Sequence, residues 1–169
     1  MLLSHDAIVA ALQKGIIKIS PTIGDSQIGG ASVDLRLSNM FRIFKKVNSN
    51  IPVLSTTDYK NYTQEVQADT FLLSPQQTIL GITLEKITLP EDICAWIEGR
   101  SRFARLGLLI HISAGLIQPG VDNQQVLEMT NLGPNSLELH AGECICQLVF
   151  QRVEGKSTYK GLFAKQTAP

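Results

Sequence analysis

The chain is poor in cysteine and has no long apolar run. Its three cysteines, Cys94, Cys144 and Cys146, are too few and odd in number for the disulfide framework of a small secreted protein. We expect them to be buried apolar thiols, with Cys144 and Cys146 on one face of a strand because they lie two apart. No stretch approaches the roughly 18 apolar residues of a membrane span, and the N-terminus does not resemble a signal peptide. These features predict a cytoplasmic protein without a membrane partner.

The chain also has no net charge. Fifteen Lys and Arg residues balance fifteen Asp and Glu residues. Long-range attraction to a nucleic acid polymer is therefore not expected, although a local group of arginines could hold a small anion. The length of 169 residues and the 44% apolar content are typical of one globular domain, which we assign to residues 1–169.

The pattern of apolar and polar residues predicts a mainly β protein. Residues 4–14 predict one short helix, with Ser4 as N-cap and Gly15 as its end. After it, short β-like runs are separated by turn residues. The candidate strands are residues 32–37, 40–44, 70–73, 78–84, 93–97, 108–112, 125–130, 136–139 and 144–150. Many short strands at close spacing predict a β-barrel or sandwich, and the polar residues 45–69 predict a long loop.

A short helix over residues 101–106 interrupts the strands. It contains Arg102 and Arg105 and directly follows Arg100. Guanidinium groups bind phosphate oxygens through paired hydrogen bonds, and N–H groups at a helix start add to this. The sequence is thus compatible with a phosphate site, and equally with a solvated basic turn.

Four ordered motifs carry a family resemblance. Residues 99–108 read G-R-S-R-F-A-R-L-G-L, and residues 111–120 read H-I-S-A-G-L-I-Q-P-G. Residues 31–37 read A-S-V-D-L-R-L, and V-L-E at residues 126–128 is followed by Asn131. In this order and spacing they resemble the motifs of the dCTP deaminases of the dUTPase superfamily. The resemblance implies a distorted β-barrel or jelly-roll, assembled as a homotrimer with active sites at subunit interfaces.

The implied reaction is hydrolytic deamination of dCTP to dUTP and ammonia. Zinc deaminases use H-x-E with P-C-x-x-C, but no histidine here is followed by x-Glu, and Cys144 and Cys146 have the wrong spacing. Deamination would then be metal-free at the base, with a carboxylate as general base. The resemblance points to Glu128. Its apolar, strand-like setting suits a partly desolvated proton shuttle, while the alternative is a carboxylate on the solvent face of a strand.

The resemblance also implies roles for other residues. Ser101 and the Ala114 carbonyl would position the attacking water, and Arg105 would stabilise the reacting centre. Arg100 would hold phosphate oxygens. The further implied substrate contacts are Arg102, Gln118, Val126, Leu127, Tyr159 and Gln166. Two alternatives stay open: Ser101 as a helix cap, and His111 as a packed strand histidine without a catalytic role.

The cofactor expectation is Mg²⁺ carried by the triphosphate, because the sequence contains no dedicated metal site. Residues 156–169 form a flexible tail in this interpretation. By resemblance, the tail would close over the nucleotide through Tyr159 and Gln166; the alternative is a frayed terminus.

Three positions depart from the family pattern. Gln118 stands where the family has an Asp beside the sugar 3′-hydroxyl, and Gln cannot act as a base. Arg102 replaces a Ser, where it could add a phosphate contact or obstruct the pocket. Asn123 replaces a Gly that follows the Pro-Gly turn, where Asn tolerates left-handed backbone angles. Two alternatives to the deaminase stay open. A dUTPase or bifunctional enzyme that yields dUMP and pyrophosphate is disfavoured by the missing Asp at position 118, and a non-catalytic nucleotide-binding paralogue is favoured by the three departures.

Overall fold

The computed structural model describes residues 1–169 and consists mainly of β-strands. Two α-helices, α1 (His5–Gln13) and α2 (Ser101–Ala104), and 3-10 turns at Asp25–Gln27 and Tyr59–Tyr62 accompany them. No helix has the length and apolar character to cross a membrane. The strands are β1 (Lys18–Ser20), β2 (Val33–Phe44), β3 (Thr63–Gln67), β4 (Thr70–Leu73), β5 (Thr78–Thr88), β6 (Ile93–Gly99), β7 (Leu108–Leu109), β8 (Leu116–Ile117), β9 (Asp122–Asn131), β10 (Leu137–His140) and β11 (Cys144–Arg152).

Nine strands form one antiparallel sheet in the order β7-β9-β5-β2-β11-β6-β8. The short strands β1 and β3 add to β5 and β2, and β4 and β10 form a separate two-stranded sheet. The strand β2 pairs with three others and lies at the middle of this arrangement. The mainly β fold predicted from the sequence is confirmed.

The core follows from strand alternation. Val33, Leu35 and Leu37 on β2 are completely buried, as the pattern predicted, while the residues between them are partly exposed. The helix α1 adds Ile8 and Ala11 to the same core of 26 residues. It begins after Ser4 as predicted, although the Ser4 side chain makes no capping hydrogen bond. The helix ends before Gly15, which has a positive φ of 65°.

Several strand boundaries differ from the prediction. The two strands predicted at 32–37 and 40–44 are one strand, β2, with a register shift between Leu37 and Phe41. The strand predicted at 108–112 ends at Leu109, so His111 does not lie on a strand. Residues 45–69 are not only a loop, because β3 pairs with β2 there. Its T-Q-E-V-Q sequence is mostly polar, as edge strands often are, and so lacked an apolar signal.

The cysteines are free, and Cys94 and Cys146 are buried as expected. Burial raises the pKa of the Cys146 thiol far above its usual range, which keeps it protonated. The prediction that Cys144 and Cys146 share one face is wrong. The pairing of β11 with β2 shifts register between them, and Ile145 and Cys146 are both buried while Cys144 is partly exposed.

Candidate functional site

A cavity of about 440 Å³ lies between β9, the segment after β7 and the C-terminal tail. Its volume is within the range of small-molecule sites. Its polar and aromatic lining is Phe44, Tyr59, His111, Gln118, Asn123, Gln125, Glu128, Tyr159, Phe163 and Gln166. Apolar residues complete the wall, among them Leu80, Ile97, Ala114, Leu116 and Val126. No Lys or Arg lines it.

The strand β9 supplies the carboxylate. Its residues alternate between buried and partly exposed positions, so Val126 and Glu128 both lie on the cavity face. The Glu128 side chain is 30% exposed, which matches the partly desolvated carboxylate predicted from the sequence. Leu127 between them is completely buried in the core on the opposite face. The prediction of Leu127 as a substrate contact is therefore wrong for its side chain.

His111 lies against Glu128. Its Nδ1 is 2.8 Å from Glu128 Oε2, and the imidazole is only 9% exposed. The two atoms are at hydrogen-bonding distance, but neither ring nitrogen makes a well-aligned hydrogen bond within the chain. The backbone N–H of Ile112 also donates to Oε2, at 3.4 Å. The His111 side chain is packed, but it lies in a loop of the cavity wall and not on a strand, and it contacts the candidate base.

The pKa of His111 is raised by its surroundings. Burial disfavours the charged imidazole and lowers the pKa. The close approach of Glu128 and of the Ala114 backbone, together with the negative charge of Glu128, outweighs the effect of burial. The proton therefore stays on His111 to a higher pH than on a free histidine.

The predicted phosphate-binding helix lies outside this cavity. Ser101, Arg102 and Arg105 are exposed, and none of them lines the cavity of their own chain. The N-cap of α2 is Arg100, and no capping hydrogen bond from a side chain is present, so the alternative of Ser101 as a helix cap is wrong. One chain brings Glu128, Ala114, Gln118, Val126, Tyr159 and Gln166 together, but not the α2 residues.

Arg100 is held within the chain. Its Nη2 lies 2.8 Å from Asp34 Oδ2, and its Nη1 donates to the Cys144 carbonyl at 2.7 Å. Burial raises the pKa of Asp34, and the charges of Arg100 and Arg102 oppose that rise. Arg102 and Arg105 form no salt bridge, so their guanidinium groups remain available at the surface.

The tail passes over the Pro-Gly turn that follows Gln118. The Tyr159 N–H donates to the Pro119 carbonyl at 2.9 Å. Gly120 has a φ of 76°, and a side chain there would lie 2.8 Å from Thr158. Gln118 is exposed and faces the cavity beside this turn. The turn and the tail are therefore packed together, and a glycine is required at position 120.

The departure at Asn123 has a structural role. Asn123 lies on β9 and is buried, not in a turn with left-handed angles, so that expectation is wrong. Its Nδ2 donates to the Phe163 carbonyl at 2.7 Å. The backbone N–H groups of Asp122 and Gln124 donate to the carbonyls of Ala164 and Gln166, both at 3.1 Å. The tail is thus bound along the start of β9 and closes one side of the cavity.

Several cavity residues were missed by the sequence reasoning. Tyr59 comes from the segment interpreted as a loop, and Phe44 comes from the end of a predicted strand. Nothing in the sequence marked Gln125 or Phe163 as a cavity residue except that each lies close to residues of the family motifs. No group of three or more His, Cys, Asp or Glu side chains is placed to hold a metal ion.

The contact of Asn123 with the tail predicts a local effect of Asn123→Ala. Loss of the hydrogen bond to the Phe163 carbonyl costs about 1 kcal/mol, or roughly fivefold in the opening equilibrium of the tail. The substitution also removes the hydrogen bond that Gln125 Nε2 donates to Asn123 Oδ1 within β9, which does not involve the tail. The amides of Asp122 and Gln124 should then exchange hydrogen about fivefold faster. The amides of Leu127 and Met129 serve as internal controls and should not change; equal protection of Asp122 and Gln124 in both proteins would contradict the anchoring role.

Comparison with known proteins identifies the family of this chain. A family model described as "dCTP deaminase-like" matches residues 2–153. A protein of Shewanella amazonensis named "dCTP deaminase" is 38% identical over 170 residues, covering 92% of this chain and 85% of that protein. A protein of Methanosphaera stadtmanae named "dCTP deaminase, dUMP-forming" is 36% identical over 160 residues, covering 92% and 81%.

A solved structure shares the fold. The 2′-deoxycytidine 5′-triphosphate deaminase of Agrobacterium tumefaciens matches with a TM-score of 0.71 at 21% identity, covering 90% of this chain. The present chain spans 48% of the length of that solved chain. With the family model and the two relatives, these matches show that the chain belongs to the dCTP deaminase-like family.

Proposed function

We propose that this protein catalyses the hydrolytic deamination of dCTP to dUTP and ammonia, with Glu128 as general base. The observation that carries the proposal is a partly buried carboxylate facing a cavity of nucleotide size. The names of the relatives support the same reaction for this chain. The reaction would belong to pyrimidine deoxynucleotide metabolism.

The chemistry needs one group that both accepts and returns a proton. A water oxygen attacks C4 of the cytosine, and Glu128 takes one water proton and passes it to N3, which leaves a tetrahedral C4 that bears a hydroxyl and the amino group. Glu128 then takes the hydroxyl proton and gives it to the 4-amino nitrogen, the C–N bond breaks, and ammonia leaves a uracil ring that carries a proton on N3. Ser101 and the Ala114 carbonyl would orient the water, and Arg105 would stabilise the developing charge. Ala114 lines the cavity that holds Glu128.

A homotrimer with active sites at subunit interfaces completes this proposal. No Lys or Arg lines the cavity, and a triphosphate requires several positive groups. Arg102 and Arg105 are exposed on α2, outside the cavity of their own chain. Exposed apolar side chains lie in the same region, namely Leu106, Leu109, Ile112, Leu116 and Leu132. A second copy that covers this surface would bring its Ser101 and arginines to the cavity.

The substrate would enter as its magnesium complex. The triphosphate oxygens supply most of the ligands that Mg²⁺ prefers. Arg100 and Arg102 would contact phosphate, although Arg100 must then share its guanidinium with Asp34. Tyr159 and Gln166 lie on the cavity wall, where the tail would cover the bound nucleotide.

A bifunctional enzyme that converts dCTP to dUMP is the second candidate. It is favoured by the Methanosphaera stadtmanae relative, which is named as dUMP-forming. It is disfavoured by Gln118, because an amide cannot activate water for phosphate hydrolysis. The products therefore distinguish the two candidates directly.

Product separation tests the proposal. Purified protein is incubated with dCTP or dUTP and magnesium, and nucleotides are resolved by anion exchange. We expect dUTP from dCTP and no dUMP. Formation of dUMP would favour the bifunctional enzyme, and return of both nucleotides unchanged would reject the deaminase and favour a binding paralogue. Glu128→Gln should reduce turnover by about 10²-fold or more with little change in nucleotide binding, whereas Glu138→Gln, at an exposed carboxylate on β10, should have no effect.

The role of Gln118 has its own test. Gln118→Asp restores a carboxylate beside the Pro-Gly turn, next to the cavity. We expect a lower KM for dCTP through better recognition of the sugar hydroxyl, or the appearance of some dUMP. Gln118→Asn serves as the control because it shortens the side chain in the same way but keeps an amide. Equal kinetics for the Asp and Asn variants would show that the missing carboxylate is neutral.

A further inference from the structure

The two carboxylate oxygens of Glu128 have different surroundings. Oε2 receives both contacts that the chain makes to this group, from His111 Nδ1 at 2.8 Å and from the Ile112 N–H at 3.4 Å. No hydrogen bond within the chain reaches Oε1. One oxygen is therefore held by the protein, and the other is free to exchange a proton with a molecule in the cavity.

His111 is not a core histidine satisfied by its packing. The ring is 91% buried, yet neither nitrogen forms a well-aligned hydrogen bond. Buried polar groups in proteins nearly always find a partner, so a buried ring with poor alignment indicates a functional position. In proteins without bound substrate, catalytic hydrogen bonds are often poorly aligned and tighten when the substrate binds.

We propose that His111 is the positioning residue of the general base: it holds Glu128 Oε2 so that Oε1 faces the cavity and exchanges protons with water and the departing amine. This inference rests on the proposed function and names a part of the site that the motif comparison did not assign. Oε1 takes the two protons of the attacking water in turn and passes the first to N3 of the ring and the second to the amino nitrogen. His111 keeps its own proton on Nδ1 throughout, so nothing else is consumed.

The choice of histidine fits this role physically. Elsewhere in the chain the completely buried Glu85 is bound by Arg36, with the Arg36 Nε at 2.6 Å from Oε1 and the Arg36 N–H at 2.7 Å from Oε2. Arg36 thus places a permanently charged guanidinium on one oxygen of that carboxylate and a backbone N–H on the other, so that neither oxygen is left without a partner. Glu128 must instead gain and lose a proton in each cycle. An imidazole stabilises the carboxylate by one contact and leaves the second oxygen free.

The electrostatic surroundings of the His111 ring are consistent with a contact between His111 and Glu128. The Glu128 charge, acting from β9, and the Ala114 backbone, in the same loop as His111, raise the pKa of His111 against the opposing effect of burial. No other charged side chain contributes to that shift. The negative charge of Glu128 thus favours a proton on the imidazole and raises the pKa of His111.

Three variants of His111 distinguish positioning from packing. His111→Asn places an amide N–H near the position of Nδ1, and His111→Gln places one near Nε2, while His111→Leu has no donor. We expect His111→Leu to lower kcat about 10- to 100-fold with KM changed by less than about threefold. His111→Asn should recover much of the loss and His111→Gln should not. Equal kcat in all three variants, or kcat that follows Tm instead of the donor position, would overturn the proposal.

A second measurement requires no turnover. The imidazole of His111 is titrated by NMR, with His111→Asn identifying its signals among those of His5 and His140. In Glu128→Gln the titration midpoint of His111 should fall below its wild-type value, because the partner charge is lost. An unchanged midpoint would overturn the pairing. If wild-type protein does not deaminate dCTP, the proposed function fails, while this titration still decides whether His111 and Glu128 act as a pair.

Discussion

Positive charge is distributed unevenly around the candidate site. The cavity that contains Glu128 has no Lys or Arg in its wall, while arginines surround the short helix α2 outside it. A triphosphate beside a carboxylate is repelled unless cations compensate, and the repulsion is strong where water is partly excluded. Arg102 and Arg105 are exposed and unpaired, whereas Arg100 is bound to Asp34. One chain therefore carries a cavity with a carboxylate and, outside that cavity, an exposed group of arginines.

The strand β9 organises the part that a single chain completes. Its alternation directs Glu128 to the cavity and Leu127 to the core, so the same strand contributes to the core and carries the proposed base. At its start, Asn123 and the backbone of its neighbours bind the tail. At its middle, Glu128 meets the loop that carries His111. The strand that carries Glu128 thus binds the tail at its start and contacts the His111 loop at its middle.

The sequence predicted the mainly β fold, the helix α1 and most of the strands, because alternation and turn residues are local signals. It did not predict β3, whose polar edge sequence has no apolar period, or the bulge that separates Cys144 from Cys146. Motif resemblance located Glu128, Ala114, Gln118, Tyr159 and Gln166 at one cavity. It missed Tyr59 and the contact of His111 with Glu128, because these depend on how distant segments pack. The motif resemblance assigned Leu127 to the substrate together with its neighbours Val126 and Glu128. Side chains on a strand alternate between its two faces, so the Leu127 side chain lies in the core instead.

Complementation between two inactive variants tests whether Glu128 of one copy and Arg105 of a neighbouring copy act in the same site. Glu128→Gln retains the arginines of α2, and Arg105→Ala retains the base. Each should be inactive alone. Trimers formed from an equal mixture should recover about a quarter of the wild-type rate, since one site in four combines an intact Glu128 with an intact Arg105 from the neighbouring copy. Mixing Glu128→Gln with the double variant Glu128→Gln/Arg105→Ala is the control and should recover nothing. No recovery in the first mixture, or full activity of Arg105→Ala alone, would contradict the account.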